Sequence, residues 1–135
     1  MTKQARGAPG VPLATEFLAL LEGREELLVS SRGPTGRGTV RMWFAVSPAG
    51  QLYLLTPSFT VKAQRWLEDP WVRLTVPDGG PAVEGTVARV AAEDSELDAD
   101  LLVSHFAMAG ATTREALRWM VESGSHLLLL VSGKS

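Results

Sequence analysis

At 135 residues, with 13 basic and 15 acidic side chains and a formal charge of −2, the chain is long enough for one cored domain and too short for two. The slight acidic excess argues against nucleic acid or an anionic membrane as a partner, because both call for a basic surface. The absence of cysteine excludes disulfides, thiolate metal sites and thiol nucleophiles, and is compatible with the cytoplasm, the expected location.

Residues 1–10, MTKQARGAPG, are polar and carry Gly and Pro. They read as a disordered leader, with no apolar run of the kind a signal peptide needs, and leave residues 11–135 as a single domain. Leu13, Phe17, Leu20 and Leu21 recur at helical spacing after Pro12, which predicts an amphipathic helix over about 12–22 that Gly23 ends. Its apolar stripe is expected to plug one end of a barrel. Glu26 to Arg32 reads as the first strand, and Gly33-Pro34-Thr35-Gly36-Arg37-Gly38 as a hairpin turn. A nucleotide-binding loop is excluded there: a Walker loop needs Lys-Ser or Lys-Thr after its last glycine, where Thr39-Val40 stand, and no third glycine falls at dinucleotide spacing.

From Thr39 the pattern alternates. Val40, Met42, Phe44 and Val46 share one face and Arg41, Trp43 and Ala45 the other, as a pleated strand requires. Ser47 to Gly50 supplies turn chemistry, Gln51 to Thr56 forms the return strand, and Pro57-Ser58-Phe59-Thr60 stops it before Lys62 to Leu67 complete about two helical turns. Ser58, Thr60 and Lys62 thus stand where a loop enters a helix, with Arg41 on the strand alongside. Hydroxyls, a lysine, an arginine and free helix N–H groups suit a phosphomonoester. The same residues also fit an ordinary N-cap followed by a solvated lysine, and both readings stay open on pattern alone.

Downstream, Trp71 to Val76 alternates as a strand, Pro77-Asp78-Gly79-Gly80-Pro81 turns the chain, and Ala82 to Ala92 returns. Glu84 reads as an outward charge opposite Arg73 rather than a base. From Glu93 the period changes to about 3.6, with Leu97, Leu101, Leu102, His105 and Met108 on one helical face. Gly110 ends that helix and Thr113 to Glu122 makes another, with Leu117, Met120 and Val121 inward. His126 to Val131 is an uninterrupted apolar run, expected to lie buried at the centre of the sheet. His105 and His126 read as structural; no metal-ligand spacing is present, and no catalytic residue is assigned. Any chemistry would have to come from a bound cofactor.

Three segments, TVRMWFAV, LYLLTPSFTVKAQRWLEDPWVRLTV and VEGTVARV, resemble the pyridoxamine 5′-phosphate oxidase-like, FMN-binding split β-barrel family over residues 39–90. The match lies in Thr60 two residues before Lys62, the short helix, Asp69-Pro70, and Glu84-Gly85-Thr86. The resemblance implies a mainly β fold with peripheral helices, a split β-barrel of about six antiparallel strands. It implies a homodimer with FMN at the interface, and the deazaflavin F420 as an alternative cofactor in the same barrel. The phosphate would fall on Arg41, Thr60 and Lys62, with Ser58 and Thr56 nearby. The isoalloxazine edge would run along Arg41, Met42 and Trp43 and along Leu54, Leu55 and Thr56. Trp66, Trp71 and Trp119 would be core or interface.

Two departures bear on the substrate. Val61 stands where the family's oxidases carry an arginine, and their basic C-terminal segment has no counterpart after the last apolar strand. The implied activity is therefore a flavin-dependent oxidoreductase for some other small molecule, or a flavin carrier without a substrate. A third reading, a barrel that binds single-stranded nucleic acid with Arg32, Arg37 and Arg41 around Trp43 and Phe44, runs against the net charge.

Overall fold

The structure, a computed structural model, describes residues 11–133, so the leader expected over residues 1–10 lies outside the described residues. Their order is α1 (Thr15–Leu20), β1 (Glu26–Gly33), β2 (Gly36–Trp43), β3 (Ala45–Val46), β4 (Leu52–Pro57), α2 (Val61–Glu68), β5 (Trp71–Thr75), β6 (Ala82–Arg89), α3 (Ala99–Phe106), α4 (Arg114–Glu122) and β7 (His126–Gly133). A 3-10 segment, Ala92–Asp98, precedes α3, and a 3-10 turn over Ala107–Ala109 follows it. Among the described residues no helix is long and apolar enough to cross a membrane.

The seven strands form one sheet in the order β2-β1-β5-β6-β7-β4-β3, every neighbouring pair antiparallel. Its two edges, β2 and β3, are successive pieces of one stretch of chain, so the sheet curls until the stretch closes it: a split β-barrel. The seventh strand corrects the expected six, because the single strand expected over Thr39–Val46 divides at Phe44. Up to Trp43 the chain pairs with β1, ending at Glu26↔Trp43. The Phe44 N–H still donates to Glu25 O (3.3 Å), and Ala45 and Val46 then pair with Tyr53 and Leu52. One strand thus exchanges partners because β1 ends where β4 begins. The expected hairpin of Thr39–Val46 with Gln51–Thr56 survives only in those two residues; the main partner of β2 is β1, through a turn at Pro34-Thr35.

The barrel interior is filled by Leu27, Val29, Met42, Phe44, Leu52, Leu54, Val72, Leu74, Val87, Leu127, Leu129 and Val131. Leu13, Phe17 and Leu21 close one end from α1, as their four-residue spacing requires. Leu20 turns out exposed, and α1 is shorter than expected. A second cluster covers the outer face of β4 and β7: Tyr53, Leu55, Leu128 and Leu130 pack against Leu102, Phe106, Leu117 and Met120 of α3 and α4. The run 127–131 is therefore buried on both faces, which is why it shows no polar alternation. Each such side chain contributes about 1.5–3 kcal/mol of burial.

Several details depart from the pattern. Val40, expected inward with Met42, is exposed because the β1–β2 arm runs past the barrel wall. Leu97, His105 and Met108 are exposed, since the 3-10 segment rotates Leu97 away and α3 buries Ala99, Leu102 and Phe106 instead. Trp66 and Trp71 are core, with Trp66 Nε1–H donating to Trp71 O (3.1 Å), while Trp119 is 64% exposed. Arg73 and Glu84 face each other across β5 and β6, as expected. At Gly85 a Cβ would lie 1.9 Å from Ser132 O, so only glycine lets β6 pass β7 there.

Candidate functional site

A groove of about 330 Å³ lies where β2 passes the end of β4, the start of α2 and the start of β7. The fold brings Arg41, Met42 and Trp43 from β2, Leu55 and Thr56 from β4, and Lys62 from α2 onto its walls. Those residues were singled out in the sequence on 22 positions of chain, yet they meet because β2 and β4 lie on either side of the closure at Phe44. Glu26, Pro57, Ala109 and His126 complete the lining.

Ser58 and Thr60 are absent from that wall. Ser58 Oγ donates to Gly124 O (2.7 Å) and Ser125 O (3.1 Å), tying the loop to the start of β7. Thr60 is the N-cap of α2: its Oγ1 accepts from the Ala63 N–H (3.3 Å), donates to Pro57 O (3.1 Å) and lies 3.2 Å from Thr56 Oγ1. Thr60 performs the capping role that the sequence left open, and Ser58 anchors the loop instead. Asp69 and Pro70 end α2; the Asp69 carboxylate accepts from the Trp71 N–H (3.2 Å) and from Arg32 Nε (2.7 Å).

What remains for an anion is cationic. Lys62 is half-buried and, among the described residues, has no hydrogen-bond or ion-pair partner; burial alone holds its ammonium below the ordinary lysine value. Arg41 meets Glu26 only loosely, at 3.6 Å, with both side chains largely exposed. A half-buried ammonium without a counter-charge is a standing electrostatic deficit that an anionic ligand would relieve. Met42, Trp43 and Leu55 give the groove an apolar side, so it can take a molecule with a planar apolar part and an anionic tail.

A larger hollow, about 500 Å³, lies on the other side of α2 between Arg32, Phe59, Val61, Arg65 and Asp69. Its charge is balanced: Arg32 is paired with Asp69, and Glu68 stands on the same wall. The groove that holds Lys62 is therefore the stronger candidate despite its smaller volume. Val61, the departure noted in the sequence, points into this hollow and not into the groove, so it takes nothing from the groove wall. The stacking platform imagined for nucleic acid is not assembled. Phe44 is buried, Arg32 and Arg37 lie 4.8 and 4.6 Å from the centre of the Trp71 ring, and Arg41 faces Glu26.

Glu26 and His126 were missed in the sequence. Glu26 could have been found by counting back from the 34–35 turn, which sets Glu26 beside Trp43 and within reach of Arg41. His126 had no local signal; it arrives by pairing with Pro57, 69 positions away.

No family model matches the chain, and no curated protein matches it. Solved structures do share its fold. A proposed pyridoxamine 5′-phosphate oxidase from Listeria innocua aligns with a TM-score of 0.64 at 14% identity, over 89% of this chain and 92% of its own. An FAD-binding protein from Mesorhizobium loti aligns with a TM-score of 0.63 at 15% identity, over 91% of both chains. A protein described as an F420 reductase aligns with a TM-score of 0.59 at 20% identity, over 93% and 97%. The likeness, at these identities, is one of fold: the chain has the split β-barrel fold of the pyridoxamine 5′-phosphate oxidase-like kind.

Proposed function

We propose that the groove between β2, β4, α2 and β7 binds FMN by its phosphate and that the protein is a flavin-dependent oxidoreductase acting on a substrate other than pyridoxamine phosphate. The observation that carries this reading is Lys62, a half-buried cation with no partner among the described residues, on the same groove as Arg41 and the apolar side chains of Met42, Trp43 and Leu55. Lys62 and Arg41 would hold the phosphate through charge-assisted hydrogen bonds. Trp43, Met42 and Leu55 would flank the ring and exclude water from it, and the exposed backbone of β2 offers hydrogen-bonding groups to its polar edge. Bound flavin supplies hydride and single-electron chemistry that no side chain here provides.

A second copy of the chain belongs to this reading. Trp43 on the groove wall is 37% exposed and Met108, next in the chain to the groove residue Ala109, is 84% exposed, an apolar rim that a partner subunit would cover while closing the site. Denaturing the purified protein and identifying the released chromophore tests the cofactor. FMN supports the reading, F420 would move the assignment to a deazaflavin reductase on the same barrel, and no chromophore together with no FMN binding on titration would refute it. Reduction of bound FMN with no turnover of any added acceptor would make the protein a carrier.

A further inference from the structure

The neighbours of His126 offer its ring a hydroxyl partner that suits one tautomer. Its Nδ1 lies 2.9 Å from Ser125 Oγ, and the Ser125 hydroxyl donates its only proton to the Met120 carbonyl at 3.2 Å. A carbonyl can only accept, so with the Ser125 proton on Met120 O the Oγ is an acceptor toward the ring. In that arrangement Nδ1 carries the hydrogen and Nε2 keeps a bare lone pair.

The charge of that ring is finely opposed. Met120 lies in the last turn of α4, whose carbonyl end is partly negative and favours an imidazolium at the near end of the relay. Burial works the other way and holds the imidazole below its ordinary value. The charged groups lining the groove with it are Glu26 of β1, Arg41 of β2 and Lys62 of α2. Glu26 faces Arg41, and on α4 Arg118 pairs with Glu122, so the uncompensated charge nearby is that of Lys62, which also disfavours the imidazolium. An anion in the groove reverses that sign.

We propose that His126 is a third ligand contact of the groove, taking up a solvent proton at Nε2 when an anionic phosphomonoester binds, and so becoming a cationic donor beside Lys62 and Arg41. The inference rests on the flavin-phosphate reading and deepens it, since binding becomes coupled to one proton and to pH.

The test titrates FMN and riboflavin, which lacks the phosphate, into the wild type and His126→Asn by calorimetry in two buffers of different ionisation enthalpy. Asn keeps a donor toward Ser125 and has nothing in place of Nε2. Wild type is expected to take up more protons with FMN than with riboflavin, its FMN affinity falling by up to about tenfold per pH unit above the free imidazole's titration. The surplus uptake and the slope disappear in His126→Asn. Uptake that survives His126→Asn undiminished belongs to Lys62 or to the phosphate itself and overturns the proposal, as does equal uptake with FMN and riboflavin. Nitrogen-15 shifts of the free protein supply a ligand-independent check: hydrogen on Nδ1 in the wild type, a mixed population in Ser125→Ala; hydrogen on Nε2 in the wild type overturns the proposal. Should FMN fail to bind at any pH, the flavin reading falls by itself. Inorganic phosphate then decides His126: a raised imidazole midpoint supports the proton uptake, and an unmoved one ends it.

Discussion

Lys62→Met separates binding from stability, because its two effects have opposite signs. In the folded chain burial lowers the Lys62 pKa from the ordinary 10.5. Between the folded and unfolded values the unfolded chain binds more protons, so stability rises with pH there, and below the folded value the charged ammonium is a constant debit. Methionine has a similar length and no charge, so it removes that debit and the urea midpoint at neutral pH is expected to stay level or rise. Affinity should move the other way. One charge-assisted hydrogen bond to phosphate is worth about 1.5–3 kcal/mol. At about 1.4 kcal/mol per factor of ten, FMN should bind about 10- to 150-fold more weakly. Riboflavin, without the phosphate, should bind both proteins alike. Flavin fluorescence titrations with urea unfolding on the same samples check all three statements. The reasoning fails if FMN affinity stays within about twofold of wild type, if riboflavin loses as much as FMN, or if the urea midpoint falls along with the affinity.

Three further outcomes are expected. Gly85→Ala forces a Cβ against the Ser132 carbonyl and should cost about 2–4 kcal/mol in urea unfolding, with a loss below about 1 kcal/mol showing that the β6–β7 approach is looser than described. The Asp69 pKa is lowered first by the hydrogen bond from Arg32 and then by the Trp71 N–H. Its stabilisation is present above the unfolded value of 3.8 and lost as pH falls through the lower folded one, so the acid limb of stability should flatten in Asp69→Asn; an unchanged limb would place the acid sensitivity elsewhere. Met108→Asp, beside the groove residue Ala109, should turn a dimer into a folded monomer in light scattering, whereas a wild type that is already monomeric at high concentration would remove the second copy from the reading.

Much of the fold could be read along the chain because each element announces itself locally. The Glu26–Arg32 strand, the Thr60 cap, the Asp69-Pro70 stop, the Arg73–Glu84 juxtaposition and the doubly buried 127–131 run all follow from periodicity, capping and turn chemistry over a few residues. The division at Phe44 could not be read this way. A strand that changes partner keeps its period of two, and the change appears only when both partners are in place. The hydroxyls of Ser58 and Thr60 likewise read along the chain both as caps, the commoner role, and as phosphate donors. The commitment of Ser58 to Gly124 and Ser125 emerges only once the start of β7 lies against the loop, whereas Thr60 turns to Pro57 and Ala63 within its own helix start.

By itself the sequence determined which residues carry charge and which carry bulk: a lysine at the mouth of a short helix, an arginine on a strand, and aromatic and aliphatic side chains at alternating places. Tertiary structure alone decided that, among the described residues, this lysine has no counter-charge, that the arginine looks toward Glu26, and that His126 joins them on the wall of the same groove. The physical reason is range. Propensity and periodicity act over a few residues, whereas desolvation and charge balance depend on every group within several ångströms, and here those groups come from β1, β2, α2 and β7.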